Sequence, residues 1–348
     1  MTGGLFRKIM TMVGGGAKVI KYFSMGPEYL FPGNCYSERP YLDDIFSSMN
    51  KAHGMVAEAE VLLGPGKRVA ASIAILSPRS SFVWDVVKTR GELEWSTNQT
   101  EHNSDYEADV YGIYVALAVH SALQIEFMDE DDLNDAGLQQ YKMLVITEPN
   151  VPSEGLRAVT RWMQAGGVLL TTAGAARWDR YNSSVDTIAE ASGVLEVPRC
   201  RHLMGVDFQT GHQWASSGHG TVDWETAQGS FRALGNRSFA SAAPASKSVV
   251  TRCRFADDGS PAVVSADVDA GSHFHFYWLP GLSYLENATN WARLPTPDEF
   301  PSTIRSMLQN VVAAASRGRA DAVSTSVGYV VGLRIGLSPK FMGWPVSV

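Results

Sequence analysis

Apolar and polar positions follow two alternating periods along this chain, and their order predicts a succession of strands and helices. Ala17–Phe23 (AKVIKYF) has strand composition and is followed by the chain-breaking pairs Gly26-Pro27 and Pro32-Gly33. From Tyr41 to Leu63 the positions Leu42, Ile45, Met49, Ala52 and Val56 recur at helical steps, and Gly64-Pro65-Gly66 stops the helix. One strand and one helix cannot bury both their faces, so this N-terminal piece requires a partner.

The next stretch is the most legible. Val69–Leu76 (VAASIAIL) is a nearly unbroken apolar run, as a central parallel strand covered on both faces requires. A long helix is expected over Asp105–Ala122, with Tyr111, Tyr114, Val115 and Val119 on its apolar side. Strands follow at Leu123–Met128, Lys142–Thr147 and Val168–Thr172. Between the last two, a helix opens at Pro152-Ser153-Glu154 and closes at Gly166-Gly167. Ser183–Ala191 reads as a further helix. The alternation implies right-handed crossovers and a three-layer α/β domain of the flavodoxin-like or amidotransferase-like kind, with a mostly parallel sheet. From Pro198 to Tyr284 the composition turns to Gly, Ser and aromatic residues, with alternating runs at Ser248–Phe255, Ala262–Val268 and His273–Trp278. These predict antiparallel strands that extend the sheet. Thr296–Ala315 forms a closing amphipathic helix around Phe300, Ile304, Leu308 and Val311, and the tail from Ala320 holds one strand-like run.

Composition narrows the function classes. The chain has 348 residues, 45% hydrophobic and 19% charged, with a net charge of -7, which is ordinary for a folded protein. That acidity, without any basic cluster, argues against nucleic acid or an anionic membrane as partner. No apolar run reaches the length of a membrane span, and Met1–Gly16 has no apolar core of a signal peptide. Cys35, Cys200 and Cys253 are scattered and lack the spacing of a zinc site or a disulfide framework, which suggests a reducing, cytoplasmic setting. The sequons at Asn98, Asn182, Asn236 and Asn287 change nothing without evidence of secretion.

Open α/β sheets bind ligands beyond the carboxyl ends of their strands. Here that rim carries Ser77–Trp84, then Glu148 and Asn150, then Ala173–Asn182. Trp84, Asp85, Trp178, Asp179 and Tyr181 have the stacking surface and hydrogen-bonding groups of a sugar site, and equally the composition of a subunit contact, which is the favoured alternative. The chain offers no nucleophile at a strand-to-helix elbow, because Ala173 and Ala175 stand where one would be needed. His273 and His275 share one face of a strand, but no third metal ligand is evident, and aromatic packing along HFHFYW is the simpler explanation. Gly14-Gly15-Gly16 lacks the Lys-Ser/Thr of a phosphate loop. No cofactor is expected. Glycoside hydrolysis needs two matched carboxyl groups, and Glu28 and Glu38 in the early loop supply at most one of them.

Three segments carry a resemblance. Ala71–Asp85 (ASIAILSPRSSFVWD), Tyr141–Asn150 (YKMLVITEPN) and Trp162–Thr172 (WMQAGGVLLTT) resemble the trimerisation domain of family 42 β-galactosidases, which is itself similar to a class I glutamine amidotransferase without its catalytic residues. Residues 17–63 look like the last strand and helix of that family's TIM barrel, with Tyr22 and Phe23 ending the strand and Glu38 in the following loop. The resemblance implies a barrel remnant over 1–66, a trimerisation domain over 67–318 with its β-rich extension at 198–284, and a tail over 319–348 that starts a C-terminal β-domain. Barrel catalysis draws its glutamates from several strand ends, and those earlier strands are absent, so neither glutamate carries over. The expected function is therefore a glycoside hydrolase segment acting in subunit assembly or carbohydrate contact, with a homo-oligomer (a trimer by resemblance) and a galactoside as partners. Two alternatives remain: an active hydrolase using Glu148 and Asp179, and a carbohydrate-binding module.

Overall fold

The computed structural model describes residues 6, 9–10, 12–14, 16–21, 42–66, 70–84, 105–197, 216–241, 249–287 and 297–317. They fall in two units, one up to Ala70 and the other Ala71–Ser326. In the first, α1 (Leu42–Leu63) follows its expected range closely. It buries Ser48 and Ala52, with Met49 and Val56 half-buried, while Val61 and Met55 face solvent. The carbonyls left open at its C-terminus accept hydrogen bonds from Lys18 Nζ: Leu63 at 2.6 Å, Gly64 at 3.2 Å and Gly66 at 2.9 Å. A cation there also suits the negative end of the helix dipole. The strand expected over Ala17–Phe23 does not form across residues 17–21, which are irregular. A strand needs a paired neighbour for its backbone groups, and none is present among the described residues. Tyr22, Phe23, Glu28 and Glu38 lie outside the described residues, as does the tail from Ala320.

The second unit is an α/β fold around one nine-stranded mixed sheet. Its strands are β1 (Ile73–Leu76), β2 (Ile125–Met128), β3 (Met143–Ile146), β4 (Val168–Thr171), β6 (Ser216–Trp224), β7 (Ala227–Leu234), β9 (Val249–Phe255), β10 (Pro261–Val268) and β11 (Gly271–Phe276). β5 (Glu196–Val197) and β8 (Phe239–Ala240) form a separate antiparallel pair. The sheet order is β2-β1-β3-β4-β11-β10-β9-β6-β7. It is parallel from β2 through β11 and antiparallel from β11 onward, so the β-rich segment continues the sheet.

Helices cover both faces, which is why β1, β3 and β4 are apolar throughout. The helices are α2 (Asp105–Tyr114), α3 (Asp135–Leu138), α4 (Ser153–Gln164), α5 (Thr187–Ser192), α6 (Pro280–Tyr284) and α7 (Ser302–Arg317). On one face Ile73, Ile75, Val145 and Leu170 pack with Val110, Ile113 and Leu117 and with Ile304, Leu308 and Val311 of α7. On the other, Ala74, Leu76, Leu144, Ile146 and Leu169 pack with Leu138, with Leu156, Val159 and Met163 of α4, and with Ile188 of α5. Each large apolar side chain buried in this way contributes about 1.5–3 kcal/mol.

Two expectations are corrected. The buried side of α2 is Tyr106, Val110 and Ile113, whereas Tyr111 is more than half exposed, as is Val119 in the π-helical turn Val115–Val119 that follows. The buried side also carries Asp105 and Asp109, and their charge hid it from the hydrophobic pattern. The helix expected over Ser183–Ala191 begins only at Thr187, because Ser184 pairs in an isolated bridge with Trp178.

Candidate functional site

The rim at the carboxyl ends of the parallel strands is assembled around Asn150, which is fully buried. Its backbone N–H donates to Ser81 Oγ at 2.8 Å, tying the end of β3 to the helical turn 79–84 after β1. Its side-chain Nδ2 donates to the Asp179 carbonyl at 2.9 Å and to Asn182 Oδ1 at 3.2 Å. An isolated bridge pairs Asn150 with Trp178. The Trp84 indole N–H donates to the Arg180 carbonyl at 2.8 Å. The structure thus brings Trp84, Asn150, Trp178 and Asp179 together, as a cross-linked loop system.

The two acidic residues of the rim are used differently from a catalytic pair. Asp179 Oδ1 accepts the backbone N–H of Tyr181 at 2.9 Å and of Ser183 at 2.8 Å, so its carboxylate closes its own turn. Glu148 is 0% exposed and folds back to accept the Thr147 N–H at 3.2 Å, leaving Oε1 without a partner. Burial, reinforced by the charge of Glu130, raises its carboxyl well above the ordinary range and favours the neutral acid. Tyr181 is 75% exposed, and Phe82 and Val83 are 53% and 54% exposed. Asp85, Tyr22 and Glu38 lie outside the described residues.

A second polar cluster lies beneath this rim. Thr171 Oγ1, at the end of β4, stands 2.6 Å from His273 Nε2 and 2.7 Å from His275 Nδ1, both on β11. His273 Nδ1 is 2.9 Å from Ser192 Oγ at the end of α5. His275 Nε2 faces Glu196 Oε1 of β5 at 3.4 Å. Glu196 Oε1 also accepts the Gly174 N–H at 2.6 Å and the Ser238 hydroxyl. Thr171, His273, His275, Ser192, Glu196 and Ser238 are each at least 95% buried. Burial would raise the Glu196 carboxyl, but His275, Ser238 and Gly174 outweigh it and hold it below its ordinary value. Burial and the neighbouring His275 depress the His273 imidazole well below its ordinary value. The expected aromatic packing along this run is also present: Phe274 stacks with Trp224 at 5.9 Å, Trp278 stacks with Phe231 at 4.6 Å and lies 6.0 Å from Phe276, and His275 makes an edge contact with Tyr277 at 4.5 Å. Asp267 is exposed and pairs with Ser272, one position out of phase with His273, so it cannot join the imidazoles.

Solved structures with this arrangement of elements exist. Gan42B, a GH42 β-galactosidase from G. stearothermophilus, superposes with a TM-score of 0.56 at 14% identity, over 88% of this chain and 40% of that one. The β-galactosidase from Rahnella sp. R3 gives 0.56 at 15% identity over 83% and 42%, and that from Bacillus circulans sp. alkalophilus 0.50 at 16% over 79% and 34%. This chain shares its fold with part of each of these β-galactosidase chains. This chain spans about 40% of the length of the β-galactosidase chains it matches. No family model and no curated protein matches it.

One more buried carboxylate stands out. Asp109 Oδ1 accepts the backbone N–H groups of Gly281 at 2.6 Å and Leu282 at 3.0 Å, capping α6 from α2. Its Oδ2 and the neighbouring Thr172 Oγ1 have no hydrogen-bond partner. Burial, reinforced by the charge of Asp105, raises the Asp109 carboxyl to about 7 against the pull of those N–H groups. Among the described residues no group of three His, Cys, Asp or Glu side chains is placed to hold a metal, and no helix is long and apolar enough to cross a membrane. Of the two clusters, sequence reading located the rim but missed the network below it. Only the His-x-His alternation signalled the network, since its other members come from three separate elements.

Proposed function

We propose that the chain is a β-galactosidase-like glycoside hydrolase segment whose rim serves subunit assembly or carbohydrate contact and which has no catalysis of its own. The observation that carries this is the fate of the two rim acids. Asp179 spends its carboxylate on its own turn, and Glu148 is sealed from solvent, whereas glycoside cleavage needs two carboxyl groups flanking a sugar bond. The exposed Tyr181, Phe82 and Val83 supply a contact surface instead.

The fold likeness supports the finer assignment. It takes in 88% of the chain, more than the second unit alone provides, so it reaches into the first unit as well. On that basis residues 67–318 are an amidotransferase-like trimerisation domain, 1–66 the end of a TIM barrel, and the assembled state a homotrimer. Cys253 is buried, with its thiol pushed up to about 11, which suits a reducing cytoplasm where it stays an inert core residue.

The test uses the purified 348-residue chain with a nitrophenyl β-galactoside. The expected result is no turnover above the buffer rate, with light scattering reporting a mass three times that of the chain. Turnover that disappears in Glu148→Gln would overturn the non-catalytic reading. Saturable quenching of tryptophan fluorescence by galactose, lost in Tyr181→Ala, would assign the rim to carbohydrate rather than to a subunit.

A further inference from the structure

The direction of each hydrogen bond beneath the rim follows from counting hydrogens. Ser192 Oγ lies 2.8 Å from the Ile188 carbonyl, which can only accept, so Ser192 donates there. Ser192 has no second hydrogen, and His273 Nδ1 must therefore be the N–H of their 2.9 Å contact. A neutral His273 then has a bare Nε2, which accepts from the Thr171 hydroxyl at 2.6 Å. That uses the one hydrogen of Thr171, so His275 Nδ1 is the donor of the 2.7 Å contact. What remains is His275 Nε2 opposite Glu196 Oε1 at 3.4 Å. That oxygen already accepts from Gly174 and Ser238, as an ionised carboxylate does. Two lone pairs would repel there, so His275 Nε2 also carries a proton.

We propose that Ser192, His273, Thr171, His275 and Glu196 form a proton-operated lock at the root of the rim loop, in which a second proton on His275 sets the direction of every bond and its loss reverses them all. In the protonated state the five groups share one more proton than in the deprotonated state. When that proton leaves to solvent, His275 keeps its N–H toward Glu196 and its Nδ1 becomes an acceptor. The Thr171 hydroxyl turns from His273 to His275, His273 moves its proton to Nε2, and Ser192 turns from Ile188 to His273. One event at Glu196 is thus felt at the last turn of α5. Glu196 also holds the Gly174 N–H, where the rim loop leaves β4, so the relay joins the root of that loop to the last turn of α5.

The surroundings suit such a device. From the rim loop comes Arg177, whose Nη2 pairs with Asp186 at 2.9 Å and whose Nε lies 3.9 Å from Glu196 Oε2. From β11 comes Tyr277, whose hydroxyl donates to the Leu195 carbonyl at 3.1 Å. β10 places Val264 opposite His275 and Ala266 opposite His273, and α5 contributes Ser192. Glu196, Arg177, Asp186 and His275 therefore balance as two anions and two cations. His273 is kept neutral beside them by burial and by His275.

Heteronuclear NMR of the histidine side-chain nitrogens, on the full chain across pH, tests this. While His275 holds both its protons, His273 is expected as the Nδ1–H tautomer. In Glu196→Gln the amide oxygen stays on the Gly174 N–H and the Ser238 hydroxyl but no longer carries the charge that holds a second proton, so His275 should keep only its Nε2 proton and His273 should carry its own on Nε2. As the wild type is made alkaline, His275 should lose a proton and His273 should switch to Nε2–H in one transition. Thr171→Val, which suits a strand, should uncouple the two rings. His273 carrying its proton on Nε2 while His275 is doubly protonated would overturn the lock, and that readout needs no variant. A doubly protonated His275 in Glu196→Gln would overturn it too, as would a His273 tautomer unmoved while His275 titrates.

Discussion

Replacing Asp109 by Asn should stabilise the protein at neutral and alkaline pH, although it removes a charged helix cap. In the folded state burial holds this carboxyl at about 7, against an ordinary 3.8. The linkage sign follows directly: a raised folded pKa gives stability that is fully present below 3.8 and is lost as pH rises through about 7. A shift of this size, at about 1.4 kcal/mol per unit, amounts to about 4 kcal/mol of lost stability once the group is ionised in both states. Asn is nearly isosteric. Its Oδ1 keeps the N–H groups of Gly281 and Leu282, and its Nδ2 donates to Thr172 Oγ1, which now lacks a partner. Urea unfolding of both proteins at about pH 4 and about pH 8 isolates the effect, because the other titrating groups cancel in the difference. The two should differ little in acid, and the variant should be more stable by about 4 kcal/mol in base. A difference that does not change with pH would refute the assignment of Asp109 as a buried, strained carboxylate.

Other outcomes follow from the packing. In Gly112→Ala, the new Cβ would lie 1.8 Å from the Gly281 carbonyl oxygen, a backbone atom that cannot step aside. Separation of α2 from α6 should cost about 3 kcal/mol or more, visible as a lowered thermal midpoint. A wild-type midpoint would refute that close approach. Asn150→Ala removes the bonds to the Asp179 carbonyl and to Asn182, at about 1–3 kcal/mol. Hydrogen exchange should accelerate over residues 178–183 while β1, β3 and β4 stay protected, and unchanged exchange in that loop would refute the anchoring role.

The parts of this fold that announce themselves in sequence are those whose burial is symmetric. β1, β3 and β4 are covered on both faces and read as short apolar runs, with β3 and β4 within a residue of their limits, whereas β1 begins only at Ile73, after Ala70–Ser72. The hairpin of β6 and β7 was invisible for the opposite reason. Two inward positions of β6 are Gly218 and Gly220, because Phe255 and Phe231 fill the space their side chains would need. An inward glycine adds nothing to a hydrophobic pattern. The cap on α6 was equally hidden, since Asp109 and Gly281 are 172 residues apart and the acid sits mid-helix, where it reads as a solvent-facing charge. The rim was found in the right place by topology alone. Whether its acids were free or spent depended on loop hydrogen bonds that no spacing rule encodes.

The rim carboxylates share a feature that bears on function. Loops leaving the carboxyl ends of parallel strands hold backbone N–H groups with no ladder partner, and in many open α/β sheets a bound ligand satisfies them. Here side chains of the same chain do so. Glu130 takes the Ser80 N–H at 2.6 Å, Asp179 those of Tyr181 and Ser183, and Glu196 that of Gly174. A hydrogen bond to an ionised acceptor contributes about 1.5–3 kcal/mol, so a ligand that needed these N–H groups would have to displace several such bonds at once. It would also leave buried carboxylates unpaired. Binding at this edge is therefore cheapest for a partner that leaves the inner ring alone and meets only the outer side chains, Tyr181, Phe82 and Val83. A broad protein surface makes that kind of contact more readily than a small polar substrate does, and this favours subunit assembly over sugar binding as the role of the rim.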